Sequence, residues 1–435
     1  VDTEGPLHES LAATFQRLRD NHGLDLEPSR QTLRRLQAGE MDLGGREAAV
    51  ATMLAPRLLA YNDTWDKLDA MLEEITSPAY RDRLSDSFGG GWIFNWFCLD
   101  HVGYEQNPRR RDMGFHNIFD HYRQFLRDSQ SDRDGLHFHY HPMPFSRQGH
   151  HSATHYFAHC DSLYQVLCRR IIDRGWFPSC NRPGFHVTRP DSHWFLEQFI
   201  PFDFANQALD QDDESQPDLA AGRFGDWRRA PRHWQPYHPR HDDYQTPGGC
   251  RRWILRCLNV GTRLRLLRQE DVDQAFEQAA QGLPVVLAIT NHDFRDMRPD
   301  LEGMHEMLTR AARRHEGVKF RYCEARQAAR LALGLEERPP LVLEASLRGN
   351  LLEVSSDAPI FGPQPFLALK TLTGAYYHDN LDFQEPGRRW SYTLDSQTLE
   401  RQALEAVGLA ACDHTGNVTV LKIDCPTGRQ ELRHC

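Results

Sequence analysis

Leu283-Pro284-Val285-Val286-Leu287-Ala288-Ile289-Thr290-Asn291-His292-Asp293 is an apolar run that ends in polar residues. A fully apolar run of this length reads as a strand buried on both faces, as in a parallel sheet. Its neighbours support that reading. Gln269–Gln281 before it and Leu301–Arg314 after it have helical spacing. Val318–Tyr322 reads as a further strand, and Glu324–Leu333 as a helix with Gly334 where a helix C-terminus favours glycine. Upstream, strand-like Trp92–Asp100, Gly135–His141, Phe202–Ala205 and Trp253–Val260 alternate with helix-like Asn117–Asp128, Ser152–Arg174 and Phe195–Ile200. Leu7–Gln37 and Glu47–Ile75 also have helical spacing. Alternation of this kind predicts an α/β fold with a parallel sheet, open or closed into a barrel.

After Pro339-Pro340 the pattern changes. Leu341–Leu347 and Leu351–Val354 alternate with period two, and Thr371–Tyr377, Trp390–Leu394 and Thr419–Ile423 look like strands. The expected organisation is therefore a (β/α) domain over residues 1–336 and a small antiparallel β domain, sandwich-like, over 337–435. A length of 435 residues suits two such domains.

A net charge of -10 argues against a general nucleic-acid binder, which needs a basic face. No apolar run is long enough to span a membrane. No secretory leader is visible, although Val1 already reads as the end of a strand. Ten scattered cysteines without a CxxC pair suit a cytoplasmic chain rather than a disulfide frame.

Four segments carry candidate chemistry. In Gly135-Leu136-His137-Phe138-His139-Tyr140-His141-Pro142, His137 and His141 share a face on either a helix or a strand. Two readings are open: metal ligands, or a solvated histidine cluster. Val1-Asp2-Thr3-Glu4-Gly5-Pro6 aims two carboxylates to one side before a turn. That suits one ligand and one base, or simply a solvated strand end. His292 follows an apolar strand, at the end where parallel α/β folds place their sites, and is an acid–base candidate or a histidine satisfied in a loop. Asn181-Arg182-Pro183-Gly184-Phe185 is a tight turn that either presents an arginine able to orient a carboxylate or is no more than a turn.

Taken in order, the four segments resemble the polysaccharide deacetylase (NodB-homology) family. The family's His-Ser/Thr-x-x-His-Pro string is matched by His137, His141 and Pro142, with Phe138 replacing the hydroxyl residue. Its Arg-Pro-Pro-aromatic-Gly turn is approached by Arg182-Pro183-Gly184-Phe185, with the order altered. Its strand ending in histidine is matched by Leu287–Asp293. Its adjacent aspartates before Gly-Pro correspond to Asp2-Thr3-Glu4. The resemblance covers roughly residues 1–335 at the level of motifs. It implies a distorted parallel (β/α) barrel and one divalent metal ion, zinc being the expected one, on Glu4, His137 and His141. It further implies Asp2 as base, Arg182 tuning Asp2, and His292 as acid, with Asp2 and Glu4 open to exchange.

The implied activity is removal of an N-acyl group, N-acetyl above all, from an amino sugar or glycan. A cytoplasmic chain would meet such a sugar linked to a nucleotide or lipid during surface polysaccharide assembly, lipopolysaccharide included. Two alternatives remain open: hydrolysis of a non-sugar amide, and a catalytically decayed carbohydrate-binding protein. Asn107-Pro108-Arg109-Arg110-Arg111 either offers arginines to an anionic sugar or phosphate or forms a solvated basic loop. Aromatic-rich Trp227–Tyr244 either stacks on sugar or packs as an irregular loop. His150, His151, His155 and His159 read as surface or supporting residues, and Ala208–Gly222 as a polar loop. Oligomeric state is open.

Overall fold

The computed structural model describes residues 1–149, 151, 161–209 and 225–435. Seven short strands build the main sheet: β1 (Asp2–Thr3), β2 (Asn95–Cys98), β3 (Gly135–Tyr140), β4 (Cys180–Pro183), β5 (Phe202–Asn206), β8 (Trp253–Asn259) and β9 (Ala288–Thr290). A small antiparallel hairpin, β6 (Pro239–Arg240) and β7 (Asp243–Pro247), lies between β5 and β8. The sheet order is β1-β2-β3-β4-β5-β8-β9 and every pairing is parallel. Asp2 bridges His292 in parallel, and its N–H donates to the Asn291 carbonyl at 2.8 Å. The seven strands thus form a nearly closed barrel, alternating with helices, as strands that are buried on both faces require.

Several elements differ from expectation for local reasons. The apolar run ending at Thr290 pairs as a strand only over Ala288–Thr290. Pro284 has no N–H to offer a ladder, and the Val286 N–H goes instead to the Trp234 carbonyl at 3.1 Å. Val318–Tyr322 is extended but outside any sheet: its Phe320 and Tyr322 N–H groups are taken by the side chains of Ser87 and Asp86. Leu7–Gln37 is two helices, Leu11–His22 and Arg30–Gln37, separated where Gly23 takes a left-handed backbone. Glu47–Ile75 is interrupted by a new start at Pro56. The helix expected from Ser152 is seen as Asp161–Arg174; residues 152–160, with His155 and His159, lie outside the described residues, as do His150 and 210–222. Among the described residues the cysteines are free, and no helix is long and apolar enough to cross a membrane.

Beyond the helix Ala325–Leu333 the chain is antiparallel β. Strands β10 (Leu343–Arg348), β11 (Leu351–Ser356), β14 (Asp382–Glu385) and β15 (Arg389–Thr393) form one sheet. A second contains β12 (Phe366–Thr371), β13 (Tyr376–Asp379), β16 (Leu404–Cys412), β17 (Val418–Asp424) and β18 (Gln430–His434). The strand expected over Thr371–Tyr377 is a turn through Gly374 joining β12 to β13. Alternation in β12 and β16 divides two cores. Leu367, Leu369, Val407 and Leu409 face the first sheet's Leu352 and Trp390. Phe366, Ala368, Ala406 and Ala410 pack with Leu163, Val166 and Ile171 of the barrel helix Asp161–Arg174. The β region therefore shares a core with the barrel.

Gly408 marks the closest approach, since a Cβ there would lie 2.5 Å from Ile171 Cγ2. Overpacking of this kind costs about 1–3 kcal/mol. Gly408→Val should lower unfolding stability by that amount in denaturant titrations while leaving the barrel site's metal content unchanged.

Candidate metal centre

β3 alternates, so His137, His139 and His141 line one side of it, facing into the barrel. Their depths differ. A strand rises about 3.3 Å per residue, so positions four apart stand about 13 Å apart along it and positions two apart about 6.6 Å. His139 and His141 are the pair within reach of one point. Their Nε2 atoms are 3.0 Å apart. Glu4, just beyond β1, brings Oε1 to 3.5 Å from His141 Nε2. The three donor atoms lie within 4.8 Å of one another, and all three residues are buried. Ligand atoms around a tetrahedral zinc at about 2.0–2.1 Å stand roughly 3.3 Å apart. The Glu4–His139–His141 group could therefore hold a metal ion. The group that could hold an ion contains His139 and not the expected His137. His137 sits deeper, with Nε2 at 3.0 Å from Asn95 Oδ1 and 3.2 Å from Glu324.

The surrounding atoms orient these donors. His139 Nδ1 lies 2.8 Å from the Arg182 carbonyl, which can only accept, so Nδ1 carries the proton and Nε2 presents its lone pair. Burial lowers the pKa of both imidazoles, opposed for His139 by Asp2 and Glu4 and reinforced for His141 by His139. Burial pushes the Glu4 carboxyl up, but Arg111 and the neighbouring histidines hold it below the usual range. Arg111 pairs with Glu4 Oε2, leaving Oε1 toward the histidines.

Glu4 is set by its backbone. The Asp293 carboxylate accepts the Glu4 and Gly5 N–H groups, both at 2.9 Å, and the Tyr122 hydroxyl at 2.8 Å. The Glu4 carbonyl accepts from His101 Nε2 at 3.0 Å. Gly5 has φ 70° and packs against Trp65, a conformation and a space that favour glycine. The second glycine that matters is Gly184. A Cβ there would stand 2.0 Å from His141 Cδ2, so the order Pro183-Gly184-Phe185 makes room for the imidazole. The Phe185 ring then lies 4.4 Å from that of His141.

The remaining expected residues converge beside this group. Asp2 Oδ1 accepts from Arg182 Nε at 3.1 Å and from the Thr290 hydroxyl at 2.9 Å. Burial raises the Asp2 carboxyl, but Arg182, then His139 and His292, hold it far below the usual carboxylate range. Arg182 is itself fixed by the Phe204 carbonyl and by His186 Nδ1, both at 3.0 Å. His292 Nε2 faces Asp2 Oδ2 at 3.8 Å and Glu4 Oε1 at 3.7 Å. Its Nδ1 is buried with no hydrogen-bond partner among the described residues. Burial lowers its pKa to about 4, against the pull of Asp2 and Glu4.

Asp2, Glu4, His139, His141 and His292 line a cavity of about 450 Å³ at the C-terminal ends of the strands, with Arg182 behind Asp2. The segment Asp100–Tyr104, which ends an apolar strand and reads from sequence as a candidate pocket wall, brings His101 to the Glu4 carbonyl, whereas His186 and Arg295 line the cavity without any local pattern to mark them. By contrast, the aromatic stretch 227–244 is packed: Trp227, Trp234 and Tyr237 are buried away from the cavity.

Compared with known proteins, the chain matches no family model, no curated protein and no solved structure.

Elemental analysis should find metal lost in His139→Ala and Gly184→Ala but retained in His137→Ala. Retention in His139→Ala with loss in His137→Ala would reverse the ligand assignment. Imidazoles of ordinary pKa, about 6.5, would lose more than about tenfold in metal affinity between pH 8 and pH 6, because protons compete for the nitrogens. Burial lowers both His139 and His141. Their metal affinity should therefore fall less over that interval than it would for ordinary imidazoles, with the loss displaced to more acid pH.

Proposed function

We propose that this protein is a metal-dependent hydrolase of N-acyl amides, an N-acetyl amino sugar being the favoured substrate. The observation that carries the reading is one constellation at the barrel mouth. Two neutral imidazoles and one carboxylate converge there, beside an ionised aspartate held by a buried arginine and a histidine with a free ring nitrogen. The resemblance to polysaccharide deacetylases, carried by Asp2 to Pro6, by His137, His141 and Pro142, by Arg182 to Phe185 and by Leu287 to Asp293, supports the same reading, with His139 in place of His137 as the proposed ligand.

Glu4, His139 and His141 would hold a divalent ion. Three protein ligands leave a position for water, and a bound ion of this kind acidifies such water and polarises a carbonyl. Asp2 is the base: Arg182 and Thr290 hold Oδ1, leaving Oδ2 toward the cavity to take the proton of the attacking water. His292 supplies the proton the leaving amine needs, since an amide nitrogen cannot depart as an anion. His292 is uncharged near neutral pH, so the proton it gives the amine is the one Asp2 has taken from the water, passed on from Asp2 Oδ2, which lies 3.8 Å from His292 Nε2. Arg182 keeps Asp2 ionised and aimed rather than touching substrate. Phe185 and Phe294, beside His141 and His292, cover the site's flank and limit water.

Acetate release from N-acetylglucosamine derivatives, measured with zinc-loaded protein, tests the reading. Turnover is expected in the wild type. Asp2→Asn and His292→Ala should each lower kcat by about 10²–10⁴-fold with metal content unchanged. Release of acid from simple non-sugar amides alone would move the substrate to that class. Absence of turnover on every amide, in protein carrying metal, would sink the hydrolase reading.

A further inference from the structure

The cavity above the candidate centre is rich in arginine, and its far wall does not serve the centre. Arg17, Arg109, Arg263 and Arg295 line it together with Tyr61. One buried carboxylate, Glu9, stands behind them. It accepts from Arg17 Nη2 at 2.7 Å and from the Tyr61 hydroxyl at 2.9 Å, and lies 3.7 Å from Arg109 Nε. Arg263 donates to the Met53 and Leu58 carbonyls and to the Tyr61 hydroxyl at 3.2 Å. Arg295 donates to the Leu58 carbonyl and lies over the Phe294 ring at 4.7 Å. Among the described residues, Asp20 also lines the cavity and faces His151 at 3.8 Å, and Asp300 opposes the lowering of Arg295.

These guanidiniums are close enough to repel one another. Burial first, then Arg17 and Arg295, lowers Arg263 to about 9, and burial lowers Arg109 against the pull of Glu9 and Arg295 against that of Tyr61, with Arg17 a smaller lowering influence on each. Arg17 is 6% exposed, and its buried Nη1 has no hydrogen-bond partner among the described residues. Buried cations are costly unless carboxylates, carbonyls or a bound anion complete them. Planar guanidiniums match the paired oxygens of a phosphoryl or carboxylate group. Backbone carbonyls and aromatic faces fix where Arg263 and Arg295 point, so the wall is built rather than a chance gathering of long side chains.

We infer that Arg17, Arg109, Arg263 and Arg295 form an oxyanion subsite, which receives a negatively charged group carried by the substrate while its N-acyl group lies at Glu4, His139 and His141. This rests on the hydrolase reading for calling the anion part of a substrate. The shared chemistry is an oxyanion with two or more coplanar acceptors. A phosphorylated amino sugar and an amino sugar bearing a carboxylate both present it. The neutral interior of a glycan chain does not.

The test compares three probes on the full chain as purified, with metal content measured in each sample: N-acetylglucosamine, N-acetylglucosamine 1-phosphate and N-acetylmuramic acid. Charge-assisted hydrogen bonds are each worth about a 10–100-fold change in affinity. At least one anionic probe should bind by about that factor more tightly than N-acetylglucosamine, and the preference should shrink with added salt. The phosphate or the carboxylate arm, whichever binds tighter, identifies the source of the anion. Arg17→Gln and Arg109→Gln should each cut the preference about tenfold with metal content and melting temperature kept, whereas Arg17→Lys keeps part of it. Since the metal is the same in each variant, its own attraction for anions cancels from the comparison. Equal binding of all three probes by the wild type overturns the subsite, even where a variant does not fold. So does an equal loss for all three in the arginine variants. Anion preference without acetate release from any probe leaves the subsite standing and removes the hydrolase reading; acetate release without anion preference does the reverse.

Discussion

The arrangement depends on the closure of the parallel sheet between its first strand and its last. Asp2 donates its N–H to Asn291, and the Asp293 carboxylate takes the two N–H groups that follow, from Glu4 and Gly5. A parallel strand ending at a barrel mouth leaves its last N–H groups unpaired, and a buried unpaired N–H is costly. Here a side chain from the far end of the barrel domain satisfies them. The same contacts set Asp2 and Glu4 opposite His292, so closing the sheet and assembling the site are one event. Burial raises the Asp293 carboxyl to about 7 despite those three donors. The donors favour the ionised form, and the clamp is tightest when Asp293 carries its charge.

Much of this was legible in the residues. The alternation of apolar strands with helical segments located the parallel sheet, and the polar residues after each strand located its functional end. Asp2, Glu4, His141, Arg182 and His292, drawn from four separate segments, stand together in the structure. What was not legible depended on distance rather than on face. A shared face is guaranteed for residues two or four apart on a strand, but only the nearer pair can reach one ion. His137 and His141 satisfied the first condition alone, and His139 met both. The strand lengths were overread where a proline or a side-chain acceptor diverted the backbone, as at Pro284 and at Asp86 and Ser87. Arg17, Arg263 and Arg295 lie in segments whose local pattern is that of an ordinary helix or loop, and only the fold brings them to one cavity.

The altered turn Arg182-Pro183-Gly184-Phe185 shows how one residue order can be read against a neighbour. Placing glycine third puts the position without a side chain against the His141 ring, while the Phe185 side chain reaches the same ring from the other direction. Phe185 and His186 then take left-handed backbone, at φ 50° and 61°. Such conformations cost of order 1 kcal/mol each in residues other than glycine. The cost is offset by what they position: Phe185 on a candidate ligand and His186 as an acceptor for Arg182.

The last question is how a carboxylate can serve an arginine and an ion together. Glu4 has two oxygens with separate surroundings. Arg111 meets Oε2, while Oε1 faces His141 and His292. The His139 and His141 Nε2 atoms, at 3.0 Å, share a proton in this arrangement, because two lone pairs that close would repel. A cation held there would take the place of that proton, with Oε1 available to it while Arg111 stays on Oε2. Arg111 would then limit the negative charge that Glu4 lends to such an ion. The arginine wall above it and the arginine beneath Glu4 thus act in one direction: both favour negative charge arriving at this mouth from outside.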